Sequence, residues 1–200
     1  MDIKEAIRQR RSIRNFKSDK LKEEDVELIL EAARLAPSGT NVQPWRFIVV
    51  ESDKMREELK GCTLDFVGGA PVTIVCCVDN NSLEKVPDRL QELSKAGAFK
   101  GTALEKVGSS GYKGRKMSEE DAKRYLHLNL SIAIENMTLQ ATELGIGSCW
   151  VMMFNQQKLS ELLNLDDNIE AVALLPIGYA ADNPAPRPRL SLDEIVIDRV

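Results

Sequence analysis

Apolar positions recur at helical spacing in the first part of the chain. Residues 2–11 are typical of a short helix, and residues 22–36 carry apolar side chains at i, i+3, i+4 and i+7 from Val26 onward. Pro37 ends this second helix and is the first residue of the polar loop PSGTNVQP. The next segment, WRFIVVE, is rich in β-branched and aromatic residues, so it predicts a strand over residues 45–51.

The middle of the chain combines a buried strand with a long segment that lacks periodicity. A short helix is predicted over residues 53–60, and the apolar run PVTIVCCV, residues 71–78, predicts a buried strand. Residues 80–117 show no sustained apolar period and contain five glycines. We interpret them as a variable insertion or lid within one domain that spans residues 1–200.

A long helix is predicted from about Ser118 to Leu144. Ser118 offers an N-cap with Asp121 at the N3 position, and Gly145 ends the helix. Over residues 126–141 the apolar side chains spread over more than one face. Such a helix must be covered on several faces, which in a chain of this size indicates a subunit interface. We therefore expect a homodimer.

The last part of the chain predicts two strands, a short helix and a tail. SCWVMM and IEAVALLPIGY have strand character, and QQKLSELLN predicts a helix capped by Asn155. From Ala181 onward the chain is rich in proline and alternates in charge. Because this tail adds little core of its own, we expect it to lie along a surface, either its own or that of a partner subunit.

Composition and charge exclude several classes of protein. The 200 residues are 43% hydrophobic and 29% charged, which is ordinary for a globular domain. A net charge of −4 argues against a nucleic-acid partner. No apolar run is long enough for a membrane span, and the start MDIKEAIRQRR lacks the apolar core of a signal peptide. We expect a soluble, cytoplasmic protein that binds neither nucleic acid nor membrane.

Cysteine and histidine offer few metal or nucleophile sites. None of the four cysteines has CxxC spacing, and Cys76 and Cys77 lie in the predicted buried strand, so we expect reduced, structural thiols and no metal site. His127 is the single histidine, which excludes a site of several histidines. It lies in the long helix, where a packing role is the first interpretation and a substrate contact the second.

Two arginine clusters stand out in an otherwise acidic chain. Arg8, Arg10, Arg11 and Arg14 lie near its beginning, and Arg187 and Arg189 near its end. Guanidinium groups match phosphate oxygens, so the clusters suit one small phosphorylated ligand, although from charge alone solvated surface charge is the first interpretation and the ligand the second.

The loop PSGTNVQPW places neutral hydrogen-bonding side chains between two stiffening prolines. Ser38, Asn41 and Gln43 in such a loop can contact the edge of a polar heterocycle, or they can form an ordinary turn before a strand. No GxxxxGK[ST] phosphate loop is present, and GIGSCW lacks the third glycine of a dinucleotide fingerprint. A P-loop or Rossmann site is therefore not indicated.

Taken together, several segments resemble the nitroreductase family of flavoproteins over nearly the whole chain. They are RRSIRNF, APSGTNVQPWRF, ELGIGSCW, LPIGYA and PRPRLSLDEIV. The resemblance implies an α+β fold, with a mixed, mainly antiparallel central sheet wrapped by helices. It also implies an intertwined homodimer that holds two FMN molecules at its interface, with both subunits building each site.

The resemblance assigns cofactor contacts to particular residues. Those for the phosphate, ribityl chain or flavin edge are Arg10, Arg11, Ser12, Arg14, Arg187 and Arg189. Those that approach from the partner subunit are Pro37, Ser38, Gly39, Asn41 and Gln43. Those beside the isoalloxazine are Cys149, Trp150 and Met152, with a backbone amide near Met152 donating toward N5. The segment CTLDFVGGAP lacks an Asn and Lys pair found in some relatives, so the pyrimidine edge is left unassigned.

The function that the resemblance implies is an FMN-dependent oxidoreductase with NADH or NADPH as electron donor. It would reduce small electron-poor molecules such as nitroaromatics or quinones by a ping-pong mechanism. The flavin carries the hydride chemistry, so no catalytic acid is required of the protein. Narrower reactions on the same scaffold, namely reductive dehalogenation, enone reduction or flavin breakdown, stay open, as does a non-catalytic flavin-binding protein.

Overall fold

The centre of the protein is a four-stranded antiparallel sheet with the strand order β1-β2-β4-β3. The computed structural model describes residues 1–102, 104–105 and 116–200. The strands are β1 (Trp45–Val50), β2 (Val72–Asp79), β3 (Gly147–Ser148) and β4 (Ile169–Gly178). The helices are α1 (Ile3–Gln9), α2 (Glu23–Arg34), α3 (Asp53–Lys60), α4 (Asp65–Gly69), α5 (Val86–Lys95), α6 (Glu119–Glu143), α7 (Gln156–Leu163) and α8 (Leu192–Ile195). This arrangement confirms the predicted α+β fold with a helix-wrapped, mainly antiparallel sheet.

Strand β2 lies at the middle of the sheet and is buried along its whole length. It pairs with β1 on one side and with β4 on the other, and its register with β4 shifts between Cys76 and Cys77. Helices cover both faces of the sheet, which is why the strand is almost continuously apolar. An isolated parallel bridge between Ser12 and Ser148 adds the one parallel contact among the described residues.

Successive residues of β2 face two separate cores. Cys76 belongs to a core formed with α2 and α6, whereas Cys77 belongs to a core formed with α3, α4 and α7. Burial raises the pKa of the Cys76 thiol well above its ordinary value, with a smaller effect of Cys77, and burial raises the pKa of Cys77 to about 12. Both thiols are neutral at physiological pH and have the structural role that the sequence predicts.

Helix α6 has the predicted ends. The Ser118 hydroxyl accepts a hydrogen bond of 3.1 Å from the Asp121 amide, and Gly145 adopts a left-handed φ of 74° just after the last turn. One face of the helix lies in the core with α2, whereas Leu128 and Ile132 are 64% and 38% exposed. The helix thus carries an uncovered apolar strip within a single chain.

No helix or strand was predicted within residues 80–117, so α5, which residues 86–95 form, was missed. The interpretation of residues 80–117 as a variable insertion or lid stays a prediction. Leu90 is buried in α5, while most of the other side chains are charged or polar. The apolar residues of α5 are too few for the helical period to stand out, which explains the error. The glycine-rich part of the predicted insertion, residues 106–115, lies outside the described residues.

The strand predicted in SCWVMM is present only in part. Regular pairing ends after β3, and only a bridge between Val151 and Leu174 continues it along β4. The Cys149 amide still donates to the Pro176 carbonyl oxygen at 3.2 Å. Residues 149–152 therefore run beside β4 without forming a regular ladder, which leaves part of their backbone free.

Within residues 1–102, 104–105 and 116–200, every helix is too short or too polar to cross a lipid bilayer. The same residues contain no group of three or more potential metal ligands. His127 lies on α6 with its Nε2 atom 3.6 Å from Glu170 Oε1, and Lys123 contacts the same carboxylate at 2.8 Å. The Nε2 atom is buried and has no hydrogen-bond partner among the described residues, so the packing role of His127 stays a prediction.

Candidate functional site

A positively charged pocket of about 340 Å³ brings the two ends of the chain together. Its lining consists of Ile7, Arg8, Arg10, Arg11, Ser12, Pro186, Arg187 and Arg189. None of these residues is acidic, so five arginines face one another without a compensating carboxylate in the lining. We call this the arginine pocket. Every arginine of the two predicted clusters except Arg14 lines this pocket. Arg8 is among them, although the resemblance assigned it no cofactor contact.

Close packing of the segment after α1 against β3 fixes the first arginine cluster. The Ile13 amide donates a 2.9 Å hydrogen bond to the Ser148 carbonyl oxygen, and Ser12 forms a bridge with the same residue. Gly147 allows this approach, because a Cβ atom there would lie 2.7 Å from Ile13 Cγ1. Gly147 therefore permits the close packing of these two segments.

Cys149 and Arg14 lie beside Ser12. Burial raises the pKa of the Cys149 thiol, and the charges of Arg14 and Arg10 together with a hydrogen bond to Ser12 oppose this rise only in part. The thiol is therefore neutral at physiological pH and does not provide a nucleophile. Arg14 itself donates from Nη1 to the Ser12 carbonyl oxygen at 3.2 Å.

Trp150 and Met152 differ in their surroundings. The Trp150 side chain packs against the core of α2 and α6. Its Nε1 atom is buried without a hydrogen-bond partner among the described residues. Met152 is 66% exposed, and its backbone amide makes no hydrogen bond to any described residue. Met152 therefore offers a free backbone donor at the surface, whereas the Trp150 ring packs against the hydrophobic core.

The loop of residues 37–43 has an unusual backbone. Thr40, Asn41 and Gln43 all have left-handed φ angles, of 51°, 54° and 46°. The Ser38 hydroxyl accepts from the Gln43 amide at 3.1 Å, and Gln43 Nε2 donates to the Asn41 carbonyl oxygen at 3.2 Å. Ser38 and Gln43 therefore close the loop on itself, as the turn interpretation of this segment predicts.

Helix α6 anchors this loop through two residues that the sequence did not indicate. The Gly39 amide donates a 2.8 Å hydrogen bond to Asn129 Oδ1, and Asn129 Nδ2 donates to the Tyr125 carbonyl oxygen at 2.7 Å. Gly39 also lies against the Tyr125 ring, because a Cβ atom on Gly39 would be 2.0 Å from the Tyr125 hydroxyl oxygen. The only sequence signal was a buried-type position occupied by asparagine in an otherwise apolar stretch.

A second pocket, of about 400 Å³, lies between the loop and α5. One wall consists of Pro37, Ser38, Thr40 and Asn41, and the other of Leu90, Leu93, Phe99 and Leu104. We call this the loop pocket. It has no lining residue in common with the arginine pocket. Of the predicted cofactor residues, the arginine pocket holds Arg10, Arg11, Ser12, Arg187 and Arg189, and the loop pocket holds Pro37, Ser38 and Asn41, whereas Arg14, Gly39, Gln43, Cys149, Trp150 and Met152 line neither pocket.

Comparisons with known proteins support the resemblance seen in the motifs. The sequence profile of the Nitroreductase family matches residues 7–179. An NADH dehydrogenase from Thermus thermophilus is 30% identical over 202 residues, which cover 100% of this chain and 97% of that protein.

Solved structures share the same fold. A nitroreductase family protein from Streptococcus pneumoniae has a TM-score of 0.79 and 28% identity, with 99% of this chain and 100% of that chain covered. A protein from Exiguobacterium sibiricum, solved in complex with FMN, has a TM-score of 0.82 and 24% identity, with 98% and 96% covered. The family profile spans most of the chain and includes the first arginine cluster, the loop and α6. The chain therefore belongs to the nitroreductase family.

Proposed function

We propose that this protein is an FMN-dependent oxidoreductase that uses NADH or NADPH to reduce small electron-poor molecules such as nitroaromatics or quinones. The observation that carries the proposal is the arginine pocket, in which five guanidinium groups from both ends of an acidic chain converge. A dianionic phosphate is the ligand that such a set of donors suits best. The fold shared with the FMN-bound Exiguobacterium sibiricum protein supports this choice.

The residues of the arginine pocket fit a flavin phosphate. Arg10, Arg187 and Arg189 would hold the phosphate oxygens, with Arg11 adjacent and Ser12 as a neutral donor. Arg11 and Arg189 now donate only to nearby carbonyl oxygens, at 2.7 Å to Arg8 and 3.0 Å to Pro188. A phosphate would give these guanidinium groups a charged acceptor in place of a neutral one, which strengthens each hydrogen bond.

Residues 149–152 fit the edge of a flavin ring. They run beside β4 next to Ser12 and Arg14, and the Met152 amide is a free donor among the described residues. We propose that this amide donates toward N5. When bound, FMN supplies the hydride chemistry at its isoalloxazine ring, so the chain has to orient the ring and its substrates. The neutral Cys149 thiol is consistent with such a role, because it offers no competing nucleophile.

The loop pocket is our candidate for the acceptor side of the site. Its second wall is formed by aliphatic and aromatic side chains of α5 and the following turn, and its volume of about 400 Å³ suits a small planar molecule. Residues 80–117 would then act as the lid that the sequence predicts within one flavin-binding domain. Electron-poor aromatic rings and quinones are apolar and planar, and match this lining.

A homodimer would unite the two pockets. They share no lining residue within a chain, and the resemblance assigns the loop to the flavin of the partner subunit. Exposed apolar side chains occur on the surfaces that would meet, namely Ile3, Ile7, Leu28, Leu35, Leu128, Ile132, Leu190, Leu192, Ile195 and Ile197. Burying such a patch is the main driving force for stable association. We propose that the strip on α6 and the exposed tail after Ala181 both contact the partner.

The purified protein is expected to be yellow and to release FMN, not FAD, on denaturation. Under anaerobic conditions NADH or NADPH should bleach the bound flavin, and a quinone or nitroarene should restore the colour. Initial rates at several concentrations of both substrates should give parallel double-reciprocal lines, as a ping-pong mechanism requires. A colourless protein that cannot take up FMN contradicts the proposal, and a flavin that neither nicotinamide reduces indicates a non-catalytic binding protein instead.

Adding charge to the strip on α6 should separate the subunits. Leu128→Asp combined with Ile132→Asp places two carboxylates where we expect an apolar contact, and each desolvated charge costs several kcal/mol. Sedimentation should show a dimer for the parent protein and a monomer with weakened FMN binding for the double variant. Leu64→Asp is the control, because Leu64 is 39% exposed next to α4 on the other face of the sheet. A variant that stays dimeric would refute this interface.

A further inference from the structure

The loop of residues 37–43 adopts a conformation that its own sequence disfavours. Three residues with side chains, Thr40, Asn41 and Gln43, have φ angles between 46° and 54°. Only asparagine among them tolerates this region well, and threonine is particularly unfavourable because of its branched Cβ. Such a run persists only where neighbouring contacts impose it, and it is typical of functional segments. The contacts that impose it are therefore of functional interest.

Asn129 makes the side-chain hydrogen bond that joins this loop to α6. Its side chain is 3% exposed, and both ends of its amide are used. Oδ1 accepts from the Gly39 amide at 2.8 Å, and Nδ2 donates to the Tyr125 carbonyl oxygen at 2.7 Å. The second hydrogen bond fixes the orientation of the amide, so that its oxygen is presented to the loop. The Asn129 side chain therefore binds specifically to the Gly39 amide and does more than pack in the core.

Tyr125, one turn before Asn129, defines the position of Gly39 from another direction. A Cβ atom at residue 39 would lie only 2.0 Å from the Tyr125 hydroxyl oxygen, so the tyrosine leaves no room for any residue but glycine in this conformation. Gly39 is thus held by the hydrogen bond that its amide donates to Asn129 and by its contact with the Tyr125 ring. Gly39 immediately precedes the first left-handed residue, so a shift at Gly39 changes the direction of the whole loop.

We infer that Asn129 is a positioning residue, which holds the loop in its left-handed conformation so that Ser38 and Asn41 are ready to contact the flavin. The inference rests on the proposed function, because the ligand of the loop is the proposed FMN. Preorganisation of this kind increases affinity, since a loop that has the binding conformation only part of the time binds in proportion to that fraction. Asn129 itself need not contact the flavin.

Asn129→Leu keeps the size of the side chain and removes both hydrogen bonds. In the apo-protein, hydrogen exchange at the Gly39 amide should become faster, because its acceptor is lost. FMN affinity should fall about tenfold, the effect of losing one buried hydrogen bond. The matched control is Asn136→Leu on the same helix, whose Nδ2 donates to the Ala32 carbonyl oxygen at 3.1 Å. This control should leave the exchange at Gly39 and the FMN affinity unchanged.

Two further variants separate positioning from general destabilisation. Gly39→Ala acts from the exposed loop, where its Cβ would lie 2.0 Å from the Tyr125 hydroxyl oxygen, so the loop and the Tyr125 ring must move apart and FMN binding should weaken. Thr40→Asn favours the left-handed region, so in the Asn129→Leu background it should recover at least threefold in FMN affinity. A loss of helix stability alone would not respond to a change in the loop.

The outcomes distinguish this inference from the proposed function. A parent protein that does not bind FMN overturns the proposed function, and exchange at Gly39 still tests the anchor. If the parent binds FMN and Asn129→Leu binds it equally well, or keeps slow exchange at Gly39, Asn129 is not a positioning residue. The same conclusion follows if Asn136→Leu weakens FMN binding as much, or if Thr40→Asn recovers nothing.

Discussion

Replacing Arg187 with alanine is expected to weaken FMN binding ten- to a hundredfold and to leave riboflavin binding almost unchanged. Arg187 lies in the arginine pocket, where it faces Arg10 and Arg11 from the other end of the chain. Removing one charge-assisted hydrogen bond to phosphate costs roughly 1.5–3 kcal/mol. Since about 1.4 kcal/mol corresponds to one decade in affinity, the expected loss follows directly. Fluorescence titration of the apo-protein with each flavin measures it.

Comparing the two flavins tests the role of the phosphate specifically. Riboflavin lacks the phosphate, so an arginine that merely supports the fold would weaken both ligands together. Arg10→Ala should behave like Arg187→Ala, because both residues line the same pocket. Lys54→Ala removes one positive charge from α3 at a side chain that is 88% exposed, and it should change neither affinity. Equal FMN affinity in both arginine variants and the parent would show that the pocket does not hold the phosphate.

The arginine pocket illustrates what the sequence could predict. The charge pattern alone left the two arginine clusters open between a phosphorylated ligand and solvated surface charge, and only their place in the family motifs favoured the ligand. The motifs then indicated that residues 10–14 and 187–189 act together, and the structure brings most of them into one pocket. Helix α6 was equally predictable, because its caps and its excess of apolar residues are local features of the sequence.

Other features were not predictable because they depend on contacts between distant segments. The anchor between Gly39 and Asn129 joins residues 90 positions apart, and the left-handed angles of Thr40 and Gln43 are imposed by the surroundings, not by those residue types. Helix α5 was missed because few of its residues are apolar. The irregular pairing after β3 was also hidden, since a run of apolar residues looks alike in a regular strand and in a segment that only lies beside one.

The largest expected effect on stability is at Asp79, the last residue of β2. Its carboxylate is almost fully buried and accepts hydrogen bonds from Asn168 Nδ2 at 2.9 Å and from the Asn81 amide at 3.0 Å. It also pairs with Arg46 at 2.9 Å and with Lys85 at 3.6 Å. The carboxylate therefore ties the end of β2 to β1 and to the segment before β4. Removing it leaves Asn168 Nδ2 and the Asn81 amide without their acceptor, whereas Arg46 and Lys85, whose side chains are 43% and 53% exposed, can turn to water.

Asp79→Ala is expected to lower the free energy of unfolding by about 2–4 kcal/mol, since it removes a buried carboxylate with several charge-assisted hydrogen bonds. Chemical denaturation at neutral pH measures this change, and Asp65→Asn, an exposed carboxylate in α4, should alter it little. A loss below about 0.5 kcal/mol would show that the network is not important for stability.

The contribution of Asp79 should also depend on pH in a defined direction. Burial alone would raise the pKa of Asp79, but the hydrogen bonds from Asn168 and Asn81 and the charges of Arg46 and Lys85 outweigh it and lower the pKa. A carboxyl group whose pKa is lower in the folded state stabilises the protein fully above its unfolded pKa of about 3.9 and loses this contribution as the pH falls through the folded value.

Asp79→Asn keeps the shape of the side chain without the charge. The stability difference between the parent and this variant should therefore be constant from pH 7 to about pH 5 and shrink steadily below about pH 4. A difference that does not change between pH 5 and pH 2 would mean that the Asp79 charge does not stabilise the folded state.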